Sequence, residues 1–273
     1  MKITILTDNT PAYADNTLVA EHGLSLYIER GNTHILCDTG ASSVFMNNAE
    51  ILGINLANTN LLFLSHGHND HCGGARAFLQ RFADKRAFVH PEAVSCRFYS
   101  SRRGNKRDIS ATLEDLHDRM NFITSNKQIA PGVTAVMCNS NNHSTPQGNI
   151  YLTKEKNDTE TPDDFAHELS LAIETTKGLV IVSPCSHRGA VNIIESCCRA
   201  TGEARVYAFI GGLHFVDSDN TTGEVATFKK EIETYYPHTR IITGHCTCDK
   251  AKKILSATMP QAEFFSTGYE FEI

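Results

Sequence analysis

Apolar and polar residues alternate along Lys2-Ile3-Thr4-Ile5-Leu6, and this period of two predicts a strand over residues 2–7. Further strands are expected over 24–30 and 33–37, joined as a hairpin by a Gly31-Asn32 turn. Ser42 to Leu52 reads as a helix, with Ser42 or Ser43 as its cap and Gly53 at its end. The short apolar run Leu61-Leu62-Phe63-Leu64 reads as a buried strand. A helix from about His71 to Phe82 and a strand over 86–89 follow it. Later strands are expected near 133–138, 169–175, 179–183, 205–210, 240–243 and 262–265, and helices at 189–200, 224–236 and 247–257. This alternation predicts an α/β (α+β) chain in which helices cover sheets. No internal repeat of fixed period is visible.

Two stretches break the rhythm. Residues 91–130 carry Arg97, Arg102, Arg103, Lys106 and Arg107 around Ser100-Ser101 and Gly104. They read as a helical and loop insertion near the site, either a lid that attracts an anionic substrate or a solvated basic loop. Asn139 to Asp164 is polar and reads as a long loop with one short strand at 149–153.

Composition narrows the function classes. A chain of 273 residues with 41% hydrophobic content can bury a substantial core; a single domain over 1–273 is expected. The formal charge of −6 argues against a nucleic-acid partner. No apolar run is long enough to span a membrane, and the N-terminal segment lacks a signal peptide's apolar core, so a cytoplasmic location is expected. Nine cysteines, an odd number, read as reduced thiols rather than a disulfide framework. Cys37, Cys72, Cys96, Cys138, Cys197 and Cys198 read as small buried or half-buried hydrophobes. The oligomeric state stays open, a homo-oligomer included.

The chemistry concentrates in Ser65-His66-Gly67-His68-Asn69-Asp70-His71-Cys72-Gly73-Gly74. Imidazole nitrogen and carboxylate oxygen at a strand's end suit zinc, with iron or manganese as alternatives. His66 and His68, two apart on extended chain, can face one metal. Asp70 and His71 turn away as a helix begins and can serve a second.

This H-x-H-x-D-H pattern, after an apolar strand and before Gly-Gly, resembles the metallo-β-lactamase-fold superfamily. Thr7-Asp8-Asn9-Thr10, Glu21-His22-Gly23-Leu24-Ser25 and Leu36-Cys37-Asp38-Thr39-Gly40 precede it in that family's order. Pro184-Cys185-Ser186-His187-Arg188-Gly189, Gly211-Gly212-Leu213-His214 and Thr243-Gly244-His245-Cys246-Thr247 follow it. The set is similar to the branch named for dihydropterin–ribofuranosyl-aminobenzene-phosphate synthase. The resemblance implies a four-layer αββα sandwich and an enzyme using one or two divalent transition metals on a phosphorylated or otherwise anionic small molecule. A synthase-like transferase reading stands beside metal-dependent hydrolysis of a phosphoester, ester or lactone.

Carried onto this chain, the resemblance gives metal ligands His66, His68, Asp70, His71, His187 and His245. His187 ends the apolar strand Leu179-Val180-Ile181-Val182, and His167 competes with it; otherwise His167 is a surface or substrate-side residue. Cys185 stands where most of the superfamily has a bridging aspartate, and either binds a metal or leaves the bridge missing. Asp70 is expected to orient the nucleophile, and His214 to bind phosphate or transfer a proton. Asp38 is expected to orient a ligand histidine. Cys246 and Cys248 read as helix-start residues. His34, His90, His117, His143 and His238 are assigned to the surface.

Overall fold

Three sheets organise the chain. The computed structural model describes residues 1–13 and 16–273. In chain order its elements are β1 (Lys2–Thr7), β2 (Ser25–Arg30), β3 (Thr33–Cys37), α1 (Val44–Ile51), β4 (Leu61–Phe63), α2 (Asn69–Cys72), α3 (Ala75–Arg81), β5 (Ala87–Val89), α4 (Pro91–Ser95), β6 (Arg97–Ser100), β7 (Arg107–Asp108) and β8 (Met120–Phe122). They continue with β9 (Lys127–Ala130), β10 (Val133–Met137), β11 (Leu152–Lys156), β12 (Thr159–Pro162), β13 (Leu169–Thr175), β14 (Gly178–Val182), α5 (Ala190–Thr201), β15 (Val206–Ile210), α6 (Thr221–Tyr235), β16 (Arg240–Thr243), α7 (Asp249–Thr258), β17 (Ala262–Phe264) and β18 (Glu270–Glu272). The chain divides into two compact units. The first comprises Met1–Thr124, Thr153–Pro162 and Phe265–Ile273, the second Ser125–Leu152 and Asp163–Phe264.

The first unit is built on a seven-stranded sheet of order β18-β1-β2-β3-β4-β5-β8. Strands β1 to β3 are antiparallel, whereas β3, β4, β5 and β8 run parallel. Leu36 and Leu62 from this sheet pack with Phe45 of α1 and Phe78 of α3 in one buried cluster. Each such side chain contributes roughly 1.5–3 kcal/mol by leaving water.

A four-stranded sheet of order β12-β11-β6-β7 belongs to the same unit. Its β11–β12 hairpin turns on Asn157 and Asp158, at φ 51° and 59°. Both central residues are thus left-handed, as a type I′ turn requires. Lys154 and Lys156 of β11 each place Nζ 2.8 Å from the Glu92 carboxylate. Partial burial acts against ionisation of Glu92, but the two ammonium groups outweigh it and hold the carboxyl down at about 2.

Two expectations change here. Residues 91–130 hold β6, β7, β8 and β9 as well as α4 and a 3₁₀ turn over Glu114–Arg119, and those strands join three different sheets. Arg97 is paired with Asp108 and Lys106 with Glu160, while Arg102, Arg103 and Arg107 are exposed. The helix expected over 71–82 starts earlier, at Asn69, and is split at Gly73-Gly74. A Cβ on Gly73 would lie 2.2 Å from Ala41 O, and one on Gly74 2.3 Å from Ser42 O. The glycines therefore serve close backbone approach.

The second unit is built on a seven-stranded sheet of order β17-β16-β15-β14-β13-β10-β9. Strands β14 to β17 are parallel, and β9, β10, β13 and β14 antiparallel. Ile181, Phe209 and Ile241 of the sheet pack with Ile193 of α5, Phe228 of α6 and Leu255 of α7. Gly202 caps α5 in the left-handed region at φ 75°. Among the described residues, no helix is long and apolar enough to cross a membrane.

Candidate functional site

In the first unit the parallel pair β3 and β4 brings two loops to one sheet edge. Asp38 N–H donates to Phe63 O at 2.9 Å, which sets the two strand ends side by side. The Asp38 carboxylate then accepts the Ser65 N–H and the Ser65 hydroxyl, each at 2.7 Å. Its Oδ2 also lies 2.7 Å from His71 Nδ1. Both partners are fully buried, so this contact fixes the imidazole's orientation and leaves Nε2 as the donor position. The expected orienting role of Asp38 toward a histidine is thus visible in its contacts.

His66 stands between the other two rings. Its Nε2 is 3.1 Å from His68 Nδ1, and its ring centroid is 4.2 Å from that of His71. Asp70 sits in the first turn of α2, half-buried, with Oδ2 3.9 Å from His71 Nε2. The same oxygen lies 3.6 Å from Nε2 of the exposed His22. His66, His68, Asp70 and His71 are therefore brought together. Residues 91–130 back directly onto this loop: Asn69 N–H donates to Ile109 O at 2.7 Å and the Phe98 ring lies edge-on to His68. A Cβ on Gly67 would meet Phe98 Cε2 at 2.3 Å, so only glycine allows that approach.

In the second unit the parallel strands β14, β15 and β16 deliver three loops to one sheet edge. They carry Cys185 and His187, His214, and His245 and Cys246 in turn. Cys185 Sγ lies 3.5 Å from His214 Nδ1 and 3.4 Å from Cys246 Sγ. His214 N–H donates to Cys246 Sγ at 3.2 Å. One donor atom each from Cys185, His187 and His214 fall within 4.8 Å of one another, as do those from Cys185, His245 and Cys246. Burial pushes the Cys246 thiol up. The Cys185 and His214 hydrogen bonds, with the charges of His245 and His214, outweigh it and bring the thiol well below its ordinary value.

His187 is held from three sides. Phe165 stacks on its ring at 4.4 Å with 3° between planes. Its Nδ1 lies 3.2 Å from Asn149 Oδ1, and its carbonyl accepts from Asn149 Nδ2 at 2.7 Å. Glu168 accepts the N–H groups of His187 and Arg188 at 2.7 and 2.8 Å. Burial raises the Glu168 carboxyl, and those two N–H donors only partly oppose it. Asp38, Ser186, His214, His245 and Phe165 all have positive φ, between 49° and 59°. Non-glycine residues in that region are uncommon and concentrate where a site demands a particular loop shape.

Sequence reasoning missed Asn149, Phe165 and Glu168, because none belongs to a motif of metal-capable spacing. The nearest available signal was the pair His167-Glu168 just before β13. His167 is not at the surface: it is fully buried, with Nε2 3.1 Å from Asp163 Oδ2. His90 is buried too, and its Nδ1 accepts the Glu92 N–H at the start of α4. Cys248 is a helix-start residue as expected, capping α7 through Ala251 N–H at 3.4 Å. Cys246 differs from it, since its thiol meets Cys185 and the His214 N–H.

The clustered donors, imidazole and carboxylate in the first unit and imidazole and thiol in the second, fit a divalent transition metal in type. Comparison with known proteins agrees. The family described as "Metallo-beta-lactamase superfamily" matches residues 19–123. A Methanocaldococcus jannaschii protein named 7,8-dihydropterin-6-methyl-4-(β-D-ribofuranosyl)-aminobenzene-5′-phosphate synthase is 30% identical over 93% of this chain and 90% of its own. The crystal structure of Tm1679, a metal-dependent hydrolase of the beta-lactamase superfamily, superposes with a TM-score of 0.84 and 27% identity, covering 100% of this chain and 99% of that one. Zn(2+)-bound PqqB from Methylobacterium extorquens shares the fold at a TM-score of 0.56 and 13% identity, with both chains covered in full. On the 30% identity to the synthase over 93% of its length and the matching fold, the chain belongs to the metallo-β-lactamase superfamily.

Proposed function

We propose that this protein is a metal-dependent enzyme acting on a phosphorylated or otherwise anionic small molecule. The observation that carries the reading is the buried Asp38–His71 contact within a cluster of imidazoles, an arrangement that orients a ligand histidine. His66, His68, Asp70 and His71 in the first unit, and His187 and His245 in the second, would hold one or two divalent cations, zinc before iron or manganese. When bound, such cations polarise a substrate oxygen and neutralise developing negative charge.

The chain's own residues do the positioning. Asp38 holds the His71 ring through Nδ1. Asn149, Phe165 and Glu168 together fix both the ring and the backbone of His187. Asp70 orients the nucleophile beside His71. His214 directs Nδ1 toward the Cys185 thiol, leaving Nε2 to take or give a proton.

Identity to the synthase supports a transferase that joins the dihydropterin-methyl unit of a dihydropterin diphosphate to a ribofuranosyl-aminobenzene phosphate and releases diphosphate. Likeness to the metal-dependent hydrolase supports a second reading, hydrolysis of a phosphoester, ester or lactone. Metal analysis of protein purified without chelator, followed by assays on both substrate classes, tests the proposal. Bound transition metal and turnover of one class are expected. Absence of metal uptake on reconstitution would remove the proposal, and turnover of phosphoesters alone would select hydrolysis.

A further inference from the structure

A cavity of about 110 Å³ lies in the second unit, between the Ser144–Gln147 turn, the start of α5 and one face of α6. Its walls are part apolar, from Pro146, Leu213, Phe215 and Phe228, and part acidic, from Glu224 and Glu231. The two glutamates stand seven residues apart on α6, so they share a helix face with Thr227 between them. No lysine or arginine is among the described residues that line the cavity.

The two carboxylates differ. Glu231 Oε1 and Oε2 accept the N–H and hydroxyl of Ser144 at 3.2 and 3.0 Å, and His143 Nδ1 lies 3.6 Å away. Glu224 Oε1 accepts the Gln147 N–H at 2.7 Å. Glu224 Oε2 is buried and has no hydrogen-bond partner among the described residues. The residue as a whole is only 9% exposed. A carboxylate oxygen buried without a donor is costly, and a cation placed beside it removes that cost.

We propose that this cavity binds a small primary alkylammonium group. The ammonium would sit against Glu224 Oε2, with Glu231 adding negative charge to the same cavity, and its short alkyl stem would lie against Phe215 and Phe228. A hard divalent cation suits the cavity less, because it asks for six or more oxygens, whereas apolar carbon forms much of this wall. A cavity of this size accepts only a few heavy atoms. None of the proposed metal ligands lines the cavity, but it lies close to one of them in sequence: Gly189 of the lining is two residues from His187, and Gln147 is two residues from Asn149, which holds His187.

The test is calorimetric titration of the full chain with propylammonium chloride, against sodium chloride at equal ionic strength. Saturable one-to-one binding, seen only with the organic cation, is expected. Glu224→Gln keeps an acceptor for the Gln147 N–H but loses the charge, and should bind about tenfold more weakly or worse. Thr227→Phe keeps both carboxylates and fills the cavity, and should abolish binding. Circular dichroism reports whether each variant folds, and Thr227→Phe decides the matter if Glu224→Gln does not. The proposal is overturned by an absence of saturable binding, by equal binding of sodium, or by undiminished affinity in the folded variants. A soaked crystal with only a water on Glu224 Oε2 would overturn it as well.

Discussion

Donors in the first unit are imidazoles steadied by a carboxylate, whereas those in the second unit include two thiols. Asp38 makes three contacts at 2.7 Å and so fixes Ser65 and His71 together. In the second unit no single residue has that role. His187 is gripped by Asn149, Phe165 and Glu168, while Cys185, Cys246 and His214 hold one another. The first cluster is one short motif on one loop; the second is assembled from the ends of three parallel strands. A compact motif needs one organiser. A dispersed one needs the sheet register and several strained loop residues to bring its parts into place.

The largest expected effect strikes the compact cluster. His68→Ala removes a donor from a buried group of three imidazoles. Metal content and activity should fall together to background, with far-ultraviolet dichroism unchanged; a variant that keeps both would refute the assigned ligands. Asp38→Asn comes next. Asparagine tolerates the left-handed backbone at this position, but the amide cannot serve all three partners of the carboxylate. A loss of about 2–4 kcal/mol in urea unfolding is expected. A change under 1 kcal/mol, roughly the net value of one ordinary hydrogen bond, would deny Asp38 its organising role.

A third variant tests whether the first unit relies on carboxylates away from the cluster too. Glu92 is held at about 2 in the folded chain, against an ordinary value of 4.5. The folded state therefore binds fewer protons there, so the contribution is present above pH 4.5 and lost as pH falls toward 2. After solvent screening it is on the order of 1 kcal/mol. Glu92→Gln should thus lower stability at neutral pH, and the gap from wild type should close on acidification. A gap independent of pH would assign the effect to packing instead.

The smallest effect concerns sulfur. Cys248 caps α7 through a long contact to Ala251 N–H at 3.4 Å. A serine hydroxyl is a better acceptor, and Cys248→Ser should raise stability by about 0.5 kcal/mol. Destabilisation would show that this thiol, like Cys185 and Cys246, has a role beyond capping.

Most strands were legible, β1 from its alternation and β14 from its continuous apolar run. The β11–β12 hairpin was not, since β12 is exposed along its whole length and β11 buries a lysine, so no alternation marks them. The Asn157-Asp158 pair was the signal that could have found it. His66, His68, Asp70 and His71 were legible as one motif. Glu168, Phe165 and Asn149 were not, because their relation to His187 depends on how the polar 139–168 segment folds back.

Strand β18 pairs with β1, and Ile273 N–H donates to Met1 O at 2.9 Å. During synthesis, then, the outer edge of β1 stays open until residues 270–272 have left the ribosome. That exposed ribbon is a template for other nascent chains through the whole interval. Slower translation of residues 265–273 would lengthen this vulnerable window without altering any contact of the finished protein.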